Sequence, residues 1–315
     1  MSEISVIVTV YNQSVDLIST TIASIIAQQN CDFDIVVADD HSTIDITSQI
    51  DHLFADLGFD RYSIVRHEHN LKTVLNLYEA LKYAKGTYVK VVAPGDLLYD
   101  FSTLRHIVDF MEEQKVDIGF GRVFLFQETP KGRIYRAFRA PGNPSDYSNH
   151  MGASRASVLK HQLDTCDWVA GGAQFYKREA FSHFLEVLSK SYGVKYVEDL
   201  SATVALLDRD VAYLDEPVLW YEFGPGISTS GKGKAHLYAD YSNGIEGIAR
   251  DNRYGQSYRF ARTMYALRTA VALKTPFYGI LQKALARFYQ RGSDGIVPSD
   301  LFNLIMNERD SELDC

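Results

Sequence analysis

The octapeptide IVVADDHS, residues 35–42, decides the fold. Its first four residues are apolar on consecutive positions and mostly β-branched, as in a strand buried on both faces of a parallel sheet. Asp39 and Asp40 follow at once, and then turn formers. Open parallel sheets bind ligands beyond the carboxyl ends of their strands, so paired acids at that end are placed to meet one. Capping a helix that begins near Ile44 is the other role open to either carboxylate.

Working outward, ISVIVTV at residues 4–10 is a second strand of the same kind, followed by Tyr11-Asn12-Gln13 and a helical pattern over 14–29. The first strand-to-helix turn lacks the G-x-G-x-x-G that a dinucleotide needs for close approach of its pyrophosphate, which weighs against an NAD or FAD enzyme. A second unit comprises a helix over 44–57, a strand over 62–66 and a helix over 73–84. A strand over 88–92 then delivers Ala93-Pro94-Gly95-Asp96 to the same edge as Asp39, and a helix over 101–114 follows. His67 and His69, two apart in a loop, make a weak metal motif.

With 315 residues, 46% of them apolar, the chain can bury a large α/β core with an appendage. A formal charge of −8 argues against general nucleic-acid binding. The charge is uneven: residues 250–291 carry nine basic side chains against one acid, Asp251. Three scattered cysteines, Cys31, Cys166 and Cys315, give neither a disulfide framework nor a zinc site. No signal peptide or spanning segment is read, so the expected location is cytoplasmic.

Four segments, SVIVTVYN (5–12), VVADDHSTID (36–45), AKGTYVKVVAPGDLLY (84–99) and VEDL (197–200), together resemble the inverting nucleotide-sugar glycosyltransferases of family 2, which have the GT-A fold. The resemblance spans about residues 3–228. It implies that Thr9, Tyr11 and Asn12 line a uracil and ribose pocket, that Asp39 accepts a hydrogen bond from the base, and that Lys72 and Gly95 approach the nucleotide. Aligned on Gly86-Thr87-Tyr88, the family's D-x-D-type metal motif is reduced here to Asp96. Asp96 is expected to hold a Mn²⁺ or Mg²⁺ ion weakly until a diphosphate supplies further oxygens.

Glu198 and Asp199 precede a helical pattern, where the macrodipole is expected to keep a carboxylate ionised. Inverting transfer needs such a group as general base; the resemblance assigns Asp199, with Glu198 second. Gly171 and Gly172 read either as a close approach to the donor sugar or as tight helix–sheet packing. Glu198 and Trp220 join them as residues expected at the donor and acceptor sugars. Strands over 118–127 and 132–139 read as a hairpin, and residues 224–231 as a phosphate-bordering loop. Two basic helical patterns, 254–274 and 277–291, are suited to an anionic membrane, to the catalytic body or to a second copy of the chain.

The expected architecture is a GT-A catalytic domain over 1–231, with a nucleotide-binding half (1–115) and an acceptor half (116–231), then a helical region over 232–315. The expected reaction moves a sugar from a nucleotide diphosphate donor, UDP-linked first, to a hydroxyl of a glycan or lipid-linked acceptor. A sugar nucleotidyltransferase and a catalytically silent nucleotide-sugar-binding module are the rivals.

Overall fold

The structure, a computed structural model, describes residues 2–147, 154–224, 231–251 and 296–313. Four parallel strands come first: β1 (Ile4–Val10), β2 (Phe33–Asp39), β3 (Tyr62–Arg66) and β4 (Tyr88–Val92), side by side as β3-β2-β1-β4. Every residue of β2 is buried, as the unbroken apolar run of a central parallel strand predicts. Helices α1 (Val15–Ile26), α2 (Thr47–Asp56) and α3 (Thr73–Ala80) connect them. In the first turn of α2, Asp45 and neither of the paired acids accepts the N–H of Thr47, at 3.0 Å.

Beyond β4 lie β5 (Leu97–Leu98), α4 (Thr103–Gln114), β6 (Ile118–Gln127) and β7 (Ile134–Phe138). A helix over Arg155–Thr165, α5, falls where the sequence pattern is weakest. Then come β8 (Gln174–Lys177), α6 (Arg178–Glu186), the short α7 (Ser201–Ala205) and β9 (Val211–Glu222). β8 runs antiparallel between β4 and β6, and the sheet continues β4-β8-β6-β9-β5 with β7 on β6. Pro217, which has no N–H to give, sits at a register shift opposite Arg122.

Two described helices follow, α8 (Gly231–Asp251) and α9 (Asp300–Leu313). Both pack on the body. Ile245 and Ile248 enter the main core, while Leu301, Phe302 and Met306 close a second core with Trp220, Leu97 and Phe126. Residue 231 therefore marks a change of secondary structure rather than a gap in packing. Both basic helical patterns, 254–274 and 277–291, lie outside the described residues. Among the described residues no helix is long and apolar enough to cross a membrane.

Candidate functional site

The carboxyl ends of β1 and β2 are tied into one platform. Asn12, with φ +61°, donates its N–H to Ser42 Oγ (2.8 Å) and accepts from the N–H of Thr43 (2.7 Å). Asp39 is 2% exposed; its Oδ1 accepts from Ser42 N–H (2.9 Å) and Ser42 Oγ (2.6 Å), and its Oδ2 from the Arg66 guanidinium. Asp40 instead accepts the N–H groups of Leu71 (2.6 Å) and Lys72 (2.9 Å), fixing the entry to α3. Burial raises the Asp40 pKa above the usual carboxylate range, against the pull of those two amides. Thr9 is half-buried and Tyr11 exposed, so this edge keeps an accessible aromatic ring. Lys72, with φ +70°, holds its ammonium 5.9 Å from the ring centre of Tyr196.

The loop after β4 departs from what the resemblance implies. Asp96 is only 4% exposed, and its Oδ1 accepts the N–H of Glu222 (2.9 Å). Burial pushes its pKa well above the usual range, with the Glu222 carboxylate adding and Lys90 opposing. Gly95, at φ +97°, leaves room for Glu222: a Cβ there would lie 2.3 Å from Glu222 Oε2. Among the described residues no group of three or more His, Cys, Asp or Glu is placed to hold a metal. A buried carboxyl with one oxygen spent on a backbone amide does not fit the metal-holding role expected of Asp96. The loop at 224–231 is described only at Gly224 and, as the start of α8, at Gly231.

Lys90, fully buried in β4, was not singled out by sequence reasoning. Its ammonium donates to the carbonyls of Gly172 and Gln174, and burial pushes its pKa down to about 7 although Asp96 pulls it up. The turn it holds carries Gly171 and Gly172, and the structure shows what these glycines make room for. A Cβ at Gly171 would lie 2.8 Å from Glu198 Oε1 and 3.4 Å from Asp199 Cβ; one at Gly172 would lie 2.8 Å from Leu219. The acid loop therefore packs closely on Gly171 and the Leu219 side chain of β9 on Gly172.

Glu198 and Asp199 form a single 3₁₀ turn ahead of α7, held from below by Gln174, whose amide donates to the Asp199 carbonyl (2.9 Å). The adjoining helix is five residues long, too short for a strong macrodipole, and burial decides the titration instead. Both carboxyls are raised: Glu198 by burial and then by the charge of Asp199, Asp199 by burial against the hydroxyl of Tyr241. Both carboxyls of the pair therefore hold a proton to higher pH than a free carboxyl does. Asp199 Oδ1 is buried and lacks a hydrogen-bond partner among the described residues, while Oδ2 accepts from Tyr241.

Such a pair destabilises the folded state as pH rises. Glu198 keeps its proton in the folded protein but loses it on unfolding, so stability is highest below the unfolded carboxylate pKa and is lost as pH rises through the folded value. Glu198→Gln removes that loss and should raise the melting temperature more at pH 8 than at pH 5, by roughly 2–4 °C per kcal/mol recovered. Equal shifts at the two pH values would show that Glu198 is not held protonated.

The acid loop is joined to α3, whose entry Asp40 fixes. The N–H of Val74, in the first turn of α3, donates to Lys195 O (2.9 Å), close to where Lys72 lies over Tyr196. Trp220 stands apart. It is 0% exposed, stacked on Tyr99 (5.6 Å) and packed on Phe302 (4.7 Å), with Nε1 donating to Ser299 Oγ (3.1 Å). It belongs to the second core and offers no face to a sugar. A cavity of about 370 Å³ is bordered by Phe120, Arg122, Phe138, Arg139 and Tyr213.

The model of "Glycosyl transferase family 2" matches residues 5–184, more than half the chain. The chain belongs to glycosyl transferase family 2. Its fold is GT-A, and membership makes it a glycosyltransferase. Solved structures with this fold include S. aureus TarS 1-349 in complex with UDP (18% identity, TM-score 0.55, covering 89% of this chain and 77% of that one). The same protein in complex with UDP-GlcNAc matches at 18% identity and TM-score 0.55, covering 87% and 76%. The mannosyltransferase PcManGT from Pyrobaculum calidifontis, in complex with GDP-Man and Mn²⁺, matches at 16% identity and TM-score 0.54, covering 91% and 80%. No curated protein matches the chain significantly. In this family 2 chain the matched stretch contains the platform at the ends of β1 and β2 and the Gly171-Gly172 turn, while the acid loop and α8 follow it.

Proposed function

We propose that this family 2 chain is an inverting enzyme that transfers a sugar from a nucleoside diphosphate sugar, a UDP-sugar first, to an acceptor hydroxyl. One observation carries the proposal: Asp199 Oδ1 is a buried carboxylate oxygen without a partner among the described residues, on a loop whose Lys195 carbonyl accepts the N–H of Val74 in the first turn of α3. An unmet buried acceptor costs about 1–3 kcal/mol, and an incoming hydroxyl would meet it.

In the proposed reaction Asp199 takes the acceptor's proton while that oxygen attacks the anomeric carbon. The bond from that carbon to the diphosphate breaks on the opposite face, so the configuration inverts and nucleoside diphosphate leaves with the bonding electrons. Lys72, between the nucleotide edge and Tyr196, is assigned to the charge that develops on the diphosphate. The aromatic rings and arginines bordering the acceptor-half cavity suit a glycan or a lipid-linked oligosaccharide. The test is transfer from UDP- and GDP-sugars to hydroxyl acceptors, with the anomeric configuration of the product read by NMR. A product that retains the donor's configuration would overturn the single-displacement reading, and nucleotide-sugar binding without turnover would favour the silent binder.

Asp39 is assigned to the base. A carboxylate has roughly four lone-pair directions. Ser42 and Arg66 occupy three, which leaves one for a base N–H. Asp39→Ala should weaken UDP binding by about 1–3 kcal/mol in calorimetry. An unaltered dissociation constant would return Asp39 to holding its own loop, and a melting curve of the variant separates loop damage from lost recognition.

A further inference from the structure

We propose that Tyr241 is a positioning residue for the base: by donating to one oxygen of Asp199 it leaves the other, Oδ1, for the acceptor hydroxyl, which makes α8 part of the catalytic apparatus. The inference rests on the reading of Asp199 as the base.

The geometry is built rather than incidental. Tyr241 Oη donates to Asp199 Oδ2, and its ring stacks on Trp168 with centres 5.9 Å apart and planes 7° apart. The phenol is therefore held both at its tip and across its face. The neighbouring Asp240, itself buried, accepts the N–H groups of Lys195 (2.7 Å) and Tyr196, on the approach to the acid pair. One turn on, Gly244 lets the helix backbone rest on the loop, since a Cβ there would lie 2.3 Å from Leu200 Cδ1. Gly247 does the same against the ring of Tyr192, at 2.1 Å. Tyr192 in turn donates its hydroxyl to Asp251 Oδ2 (2.8 Å). From Asp240 to Asp251 the helix is thus registered on residues 192–200 and cannot slide without moving Asp199.

The chemistry follows from making the two oxygens unequal. A hydroxyl donor stabilises the ionised carboxylate against burial. The titratable groups facing Asp199 are Glu198 from its own loop, Tyr176 from β8 and Tyr241 from α8. Lys72 and His236 flank the ring of Tyr196 nearby. Of these, Tyr241 alone is hydrogen-bonded to the Asp199 carboxyl among the described residues.

Tyr241→Phe removes the hydroxyl and keeps the ring on Trp168. The base then ionises at higher pH, so the acidic limb of the kcat profile should move up by about one pH unit. At pH 5 kcat should fall roughly tenfold with the donor KM unchanged, the loss shrinking as pH rises. In an Asp199→Asn background the same substitution should add no further loss. A uniform loss at every pH with an unmoved limb, or an equal added loss in the Asp199→Asn background, would overturn the positioning role. Wild-type turnover in Asp199→Asn alone would instead remove the base assignment and this inference with it, an outcome distinguishable from the first two.

Discussion

Asp199→Asn is expected to slow sugar transfer by roughly 10²–10⁴-fold, the usual contribution of a positioned general base, while the Kd for UDP stays within about twofold. The substitution is isosteric, so its amide oxygen can still accept from Tyr241 and the loop should keep its shape. What disappears is the ability to take a proton at pH 7. The partner carboxyl cannot readily substitute, because Glu198 is pushed further up by burial and by its neighbour's charge, and it packs against Gly171. Initial rates at saturating donor, with calorimetry of UDP binding, make the measurement. Turnover equal to that of the unsubstituted chain would sink the assignment and move the role to Glu198.

Trp220→Ala should lower stability by about 3–5 kcal/mol, the range for emptying an aromatic site in a core. The side chain is wholly enclosed by Tyr99, Phe124, Tyr135 and Phe302 and bonded to Ser299. Its removal would leave a cavity and take one of the hydrogen bonds from the Ser299 hydroxyl, which keeps its bond to the Tyr99 carbonyl. Thermal denaturation should show a fall on the order of 10 °C, with the donor and acceptor KM of the remaining folded enzyme unchanged. A normal melting curve with a raised KM would restore Trp220 to the sugar site.

The N-terminal half was legible because its strands are buried on both faces and therefore spell themselves as unbroken β-branched runs. β1, β3 and β4 begin and end at the residues where the sequence places them. α5 was missed for the opposite reason. Its buried residues are Val158, Leu159 and Leu163 together with Gln162, whose amide bonds Tyr147, so a polar residue on the inner face blurs the helical period. The acid pair could be found, but not its electrostatics: a macrodipole argument from sequence gives the wrong sign once burial is seen. Tyr241 carried no signal because its meaning lies across 42 positions, in a hydrogen bond to a loop that sequence spacing does not connect to it. The Gly171-Gly172 turn was seen, while the reason for it, room for two carboxyl side chains and Leu219, is tertiary.

Ser299 joins distant parts of the chain: it accepts from Trp220, 79 positions earlier, and donates to the carbonyl of Tyr99, 200 positions earlier. During synthesis the aromatic edge formed by β5 and β9 emerges well before α9, which supplies Leu301, Phe302 and Met306 to cover it. Chains fold roughly in the order they leave the ribosome, and pairings across such spans close slowly. The platform at the ends of β1 and β2 can therefore assemble early, while a sticky aromatic flank waits for the last described helix. In a nascent chain that flank is where association with other chains or with chaperones would begin.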